Sequence, residues 1–193
     1  MNISPLVTEE DVKAVTNQLR SLWIGRGRKV EELERKMAQW VGAKYAACFG
    51  SGTAALVVAL STIGKLHVTY PDDVCEAVKI AVLLAGRAPG EGTRIAIYPN
   101  TDGDVIDFAR HMPRRGDVTL TARYGVFSFG ALKDISGGLG GCLVSNDPIH
   151  AEAYKRLSPL SDINAAMILS QLARYEGKAD YRKVADGTLW RMT

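Results

Sequence analysis

Long apolar runs are missing from this sequence. The two longest, residues 53–63 and 80–85, are too short and too interrupted to cross a bilayer. Glu9, Glu10 and Asp11 stand where a secretory leader needs an unbroken hydrophobic stretch. A large charge of one sign is missing too. The 24 lysines and arginines against 21 acids leave a net +3, too little to argue for a nucleic-acid partner. Basic and acidic residues also alternate over residues 29–36, where a helix would pair them three and four apart on a solvated face. Histidine and cysteine number three each. His67, His111 and His150 are scattered, and Cys48, Cys75 and Cys142 lack the spacing of metal ligands. Three cysteines with no leader read as reduced thiols of a cytoplasmic protein. What is present is ordinary: 193 residues, 47% hydrophobic and 23% charged, enough for one globular domain with a real core.

Helical spacing appears first at Val12, Val15, Leu19 and Leu22, opened by Thr8 as a cap and by acids in the first turn. Gly25-Arg26-Gly27 breaks that run, and residues 30–40 form a second amphipathic helix ending at Gly42. Residues 45–49 predict a short apolar strand. Gly50-Ser51-Gly52-Thr53 follows at once, and a buried helix runs over residues 54–63. A third helix is expected over 72–85, with no strand between Ala59 and Val74. Strands are predicted at 94–98, 118–121, 125–129 and 142–144, with a turn at 100–104 and a glycine-rich loop at 132–141. Two helices close the pattern, from Asp147 to about Leu157 and over 162–176, the latter capped by Ser161 or Asp162. Strands alternating with helices predict a layered α/β fold.

Two features carry chemistry. A strand, a glycine turn and a helix in succession present backbone N–H groups at a helix N-terminus, where an anion can sit. A glycine in that place is also what any tight turn uses. The glycines at 137, 138, 140 and 141 match neither a nucleoside-triphosphate loop nor a dinucleotide fingerprint. The second feature is Phe127-Ser128-Phe129-Gly130-Ala131-Leu132-Lys133, leading into the glycine loop. A lysine after an apolar strand is commonly a surface residue. Between two buried strands, partial desolvation would free its amine for Schiff-base chemistry. Arg26 and Arg28 could touch a phosphate but read more simply as a basic loop. Asp72-Asp73 reads as a helix start and Asp102/Asp104 as a turn, while Trp23, Trp40 and Trp190 read as core or interface aromatics.

Taken together, Ser51-Gly52-Thr53-Ala54-Ala55-Leu56 and residues 127–141 closely resemble the DegT/DnrJ/EryC/StrS family of sugar aminotransferases. Ile3-Ser4-Pro5, Thr8-Glu9-Glu10-Asp11, Ser21-Leu22-Trp23, residues 29–34, Gly42-Ala43-Lys44-Tyr45 and residues 161–166 add to the likeness in the family's order. The resemblance implies an aspartate-aminotransferase-type large domain, with a mostly parallel sheet between helices. It also implies pyridoxal 5'-phosphate as cofactor. Lys133 then matches the lysine that holds the cofactor and moves the substrate proton, and Ser128 matches a serine that binds its phosphate. Ser51, Gly52 and Thr53 match the turn that binds the same phosphate. The implied reaction moves an amino group, commonly from glutamate, to a keto group on a nucleotide-linked sugar. Lysine rather than histidine at 133 favours transamination over the family's dehydratase branch. Sites of the family form between two subunits, so the resemblance implies a homodimer.

The sequence also departs from the family. At 193 residues it is about half a typical member, with no small C-terminal domain and with internal segments expected to be missing. Two strand–helix units are expected to be absent before Gly125, leaving a gap in the sheet. With them would go the acid that pairs with the cofactor's ring nitrogen and the residue that stacks on the ring; Asp117 stands in the wrong context for that acid. A loop between Leu157 and Ser161, which gives the partner subunit an asparagine, is expected to be gone. Two other readings stand beside the transaminase: an inactive relative serving as dimer partner or regulatory binding module, and a generic phosphate-binding α/β domain.

Overall fold

The computed structural model describes residues 7–176. Ile3, Ser4, Pro5 and Trp190 lie outside the described residues. Helix α1 (Glu9–Arg20) and helix α2 (Arg28–Trp40) lead into strand β1 (Tyr45–Phe49), and α3 (Gly52–Thr62) follows. Then come β2 (His67–Thr69), α4 (Glu76–Leu84), β3 (Ala88–Pro89), β4 (Thr93–Ile97), β5 (Val105–Asp107), β6 (Tyr124–Ser128) and β7 (Gly141–Ser145). Helices α5 (Glu152–Leu157) and α6 (Asp162–Glu176) complete the described chain.

All seven strands join one sheet in the order β1-β7-β6-β5-β4-β2-β3. Only β7 is reversed: it pairs antiparallel with β1 and β6, and the pairs from β6 through β3 are parallel. The expected gap is therefore absent. Strand β2 lies in the stretch read as strandless, and β5 fills the place thought empty. Both are three residues long, too short for alternation to reveal, and they exist as strands because neighbours pair with them. What is lacking is helical cover on two crossovers. Residues 98–104 join β4 to β5 and residues 108–123 join β5 to β6, with no helix in either. The first is shorter than a parallel crossover normally needs. The strand expected at 118–121 is irregular chain, with Leu120 buried and its amide bonded to the Val41 carbonyl at 2.9 Å.

Strand alternation divides the core between two faces. Cys48, Ile106, Phe127, Cys142 and Val144 pack toward α2 and α6 with Val30, Leu33, Trp40 and Ile168. Ala47, Phe49, Val105, Val126 and Leu143 pack toward α3 and α4 with Leu56, Leu60, Val78 and Val82. Trp40 is fully buried and donates to the Pro113 carbonyl at 2.8 Å, whereas Trp23 is exposed. The thiols of Cys48 and Cys142 are buried and that of Cys75 exposed, all three free. Among the described residues no three His, Cys, Asp or Glu side chains gather to hold a metal ion, and no helix is long and apolar enough to cross a membrane.

Two buried carboxylates fasten the N-terminal helices to α6. Asp162 accepts from the amides of Gly27 (2.9 Å), Lys29 (3.2 Å) and Val30 (2.9 Å), capping α2 from the start of α6. The cap of α6 itself is Ser161, whose hydroxyl accepts from the Asn164 amide. Asp11 on α1 accepts two hydrogen bonds of 2.7 Å from the Arg174 guanidinium. Burial pushes the Asp11 carboxyl up, but bonds from Arg174, the Thr8 amide and Ser170 outweigh it and hold the carboxyl below its ordinary value. A lowered native value means that this stabilisation is present above the unfolded carboxyl's pKa and is lost as pH falls through the native one. Asp11→Asn should cost about 2 kcal/mol in denaturant unfolding at neutral pH, because it weakens two charged hydrogen bonds from the half-buried Arg174 guanidinium. The difference from wild type should shrink on acidification.

Candidate active site

The candidate residues meet at the carboxyl ends of β1, β5 and β6, where ligands sit in open α/β sheets. Chain leaving β1 turns through Gly50 and Ser51 into α3. Ser51 caps that helix, its hydroxyl accepting from the Ala54 amide at 3.0 Å and its carbonyl from Ala55 at 3.2 Å. The amides of Gly52 and Thr53 belong to the same first turn and have no intrahelical acceptor. This turn rests directly on the end of β6. A Cβ at Gly52 would stand 2.8 Å from the Ser128 Cβ and 3.2 Å from the Phe127 carbonyl oxygen, so only glycine allows the approach. Gly141, at the start of β7, presses on the other side, where any Cβ would overlap the Ser51 carbonyl and the Gly52 nitrogen. An isolated bridge between Ser51 and Gly140 fixes the same contact. Ser128 and the helix N-terminus are thus neighbours. The Ser51 side chain is engaged in capping.

Lys133 follows β6 in a tight turn, its amide bonded to the Gly130 carbonyl at 3.0 Å. The glycine loop beyond it is anchored to α6: Gln171 accepts from the Ser136 amide at 2.8 Å, and Asn164 donates to the Gly137 carbonyl at 2.8 Å. Half-buried Lys133 lines a small recess with Ser128, Phe127, Phe108, Ala109 and Asp134.

The structure brings a further residue to this place. Asp107 ends β5, opposite Val126 in the β5–β6 register and therefore one strand from Ser128 and Lys133. It is buried, with Oδ1 accepting from the Ala109 amide at 2.7 Å. Burial pushes its carboxyl above the ordinary value, while the Ala109 bond and the charges of Lys133 and Arg110 pull the other way. A buried acid thus stands at the end of β5, one strand from Lys133, where none was expected from the sequence. The signal was in the sequence as Val105-Ile106-Asp107, two apolar residues and an acid closing a strand. A three-residue strand carries no periodicity that would mark it. Asp117 lies elsewhere, in the turn before Leu120. Arg26 is structural: it pairs with Glu34 at 2.7 Å and donates to the Cys48 carbonyl. Asp73 precedes the helix it was expected to begin and pairs with Arg110 at 3.1 Å. Asp102 and Asp104 form the expected turn with Asn100 and Arg94. Residues 158–159, where the loop was expected to be gone, bond along the end of β1, the Gly50 amide donating to the Ser158 carbonyl at 2.9 Å.

A seven-stranded sheet with one reversed strand, a glycine turn opening α3 and a lysine after β6 give the chain the fold of an aspartate-aminotransferase-type large domain. Residues 5–76, somewhat over a third of the chain, match the sequence profile of the DegT/DnrJ/EryC1/StrS aminotransferase family. Members of the family use pyridoxal phosphate. Over 60 residues, 31% of this chain and 15% of the relative, it is 43% identical to the spore coat polysaccharide biosynthesis protein SpsC of Bacillus subtilis. Its fold matches Helicobacter pylori PseC, an aminotransferase of pseudoaminic acid biosynthesis, with a TM-score of 0.76 at 18% identity, covering 91% of this chain and 65% of that one. It also matches the PLP form of Spr1654 from Streptococcus pneumoniae (TM-score 0.73, 20% identity, 92% and 67% covered). A third match is DesI, solved with its TDP-sugar product (0.73, 19%, 91% and 60%). The chain thus spans about two thirds of these structures and a much smaller part of SpsC.

The position of Asp107 gives a sign that can be tested. A carboxyl whose native pKa is raised lowers stability as pH climbs from the unfolded value through the native one. Asp107→Asn removes the buried charge and keeps an oxygen for the Ala109 amide. The variant should melt at a higher temperature than wild type at neutral pH. The two should converge below the ordinary carboxylate range.

Proposed function

We propose that this protein is a pyridoxal-phosphate-dependent transaminase acting on a nucleotide-linked keto-sugar, with an amino acid such as glutamate as donor. The observation that carries the reading is the convergence of Asp107, Ser128, Lys133 and the first turn of α3 on one end of the sheet. These residues fit the cofactor at both of its ends. The amides of Gly52 and Thr53, with the Ser128 hydroxyl, offer donors at a helix N-terminus for a phosphate dianion. Asp107, buried and flanked by cations, offers a carboxylate for a protonated ring nitrogen. Bound there, pyridoxal phosphate supplies the electron sink for the carbon that loses its proton.

The chain's own residues do the remainder. Lys133 Nζ holds the cofactor and carries the proton at the reacting carbon. Asp107 keeps a proton on the ring nitrogen, and its burial in a site shared with Lys133 strengthens that interaction. The turn at Gly52 fixes the phosphate end, so the reacting end stays opposite Lys133. Because related proteins include a polysaccharide biosynthesis protein and an enzyme solved with a TDP-sugar, amino-sugar formation for a surface polysaccharide is the corresponding pathway. A cytoplasmic homodimer is the corresponding form. The rival reading as an inactive relative rests on the lack of a ring-nitrogen acid, and the buried Asp107 weighs against it.

Purified protein supplied with the cofactor should be yellow, and glutamate should bleach the colour. Lys133→Ala should abolish the bleaching and lower the rate of amino transfer about 10²–10⁴-fold, the usual worth of a general base. Bleaching at the wild-type rate in that variant would remove Lys133 from the chemistry.

A further inference from the structure

Arg110 is not used by the chemistry above, yet it stands at the site's rim. It follows Ala109, which lines the recess with Lys133, and lies three residues beyond Asp107. Its guanidinium donates to the Asp73 carboxylate at 3.1 Å and to the Asp73 carbonyl at 3.0 Å. Asp73 lies in the β2–α4 connection, whereas Arg110 lies just past β5. Strand β4 separates β5 from β2 in the sheet, so the pair spans the carboxyl end of β4 and joins two loops beside the site. Both side chains meet solvent, at 40% exposure for Arg110 and 72% for Asp73. Such an exposed ion pair is weak. A carboxylate arriving at the recess could displace Asp73 at little cost and gain the planar, two-pronged recognition that arginine gives.

We infer that Arg110 is a specificity residue that exchanges Asp73 for the α-carboxylate of the amino donor. The inference rests on the transaminase reading. An α-carboxylate is two bonds from the reacting nitrogen, so its anchor must stand close to Lys133. Arg110 is placed for this role, since it directly follows Ala109, which lines the same recess as Lys133. A nucleotide diphosphate is separated from the keto carbon by the sugar ring and needs no anchor there.

The test titrates the cofactor-loaded full chain with glutamate, and with glutamate whose α-carboxylate is replaced by a carboxamide, following loss of visible absorbance. Arg110→Gln should stay yellow and raise the half-bleaching concentration of glutamate about tenfold, equivalent to 1.4 kcal/mol. It should leave the response to the α-amide unchanged. Arg110→Lys should fall between the two, and Asp73→Asn, which frees the guanidinium, should lower the value for glutamate. In cofactor-free protein, glutarate should raise the melting temperature of wild type more than that of Arg110→Gln, and UDP should affect both equally. A yellow Arg110→Gln protein that responds to glutamate as wild type does overturns this inference alone. Equal weakening toward glutamate and its α-amide, or a selective loss of the UDP effect, overturns it as well. Wild-type protein that takes up no cofactor overturns the transaminase reading together with it.

Discussion

The site depends on how closely three pieces of backbone approach one another. The turn entering α3, the end of β6 and the start of β7 meet with no side chain between them, because residues 52 and 141 are glycines. That contact places the amides of the first helical turn against Ser128 and leaves Lys133 one short turn away. Strand β7 runs antiparallel between β6 and β1, next to both, and so ties the lysine strand to the strand that leads into the α3 turn.

Around this contact the fold keeps charges where water is scarce and holds each with specific partners. Asp162 and Asp11 fasten α2 and α1 to α6, and α6 in turn anchors the loop after Lys133 through Asn164 and Gln171. Glu34, paired with Arg26, accepts from the Cys48 amide at 2.7 Å and so closes the open edge of β1. These three carboxylates carry strong hydrogen bonds and are structural. Asp107 differs: it has one amide bond, and burial raises its carboxyl. A buried acid less well satisfied than its neighbours is the pattern of a group kept for chemistry rather than for stability.

Much of this was legible in the residues. Ser51-Gly52-Thr53, Ser128 and Lys133 stand in a local pattern of strand, glycine turn and helix, then strand and lysine, so both halves of the site could be read from short stretches. Residues 30–40 announced an amphipathic helix, and Val30, Leu33, Met37 and Trp40 are all fully buried. Asp107 was missed because nothing within its own segment marks it. Val105-Ile106-Asp107 has too few residues for a periodicity, and its burial comes from strands distant in sequence. The same holds for Asp162, read as a cap for its own helix, whose carboxylate instead closes α2 more than a hundred residues earlier.

The sequence by itself determined the class of fold and the two local motifs, because hydrophobic period, glycine turns and capping residues act over a few neighbours in the chain. Tertiary structure alone decided that the sheet is whole, since a three-residue strand such as β2 or β5 gains its hydrogen bonds only from partners outside its own segment. It also decided that an acid stands beside Lys133. That proximity is set by the register of β5 against β6, and pairing between strands is a property of the assembled sheet rather than of either strand's residues.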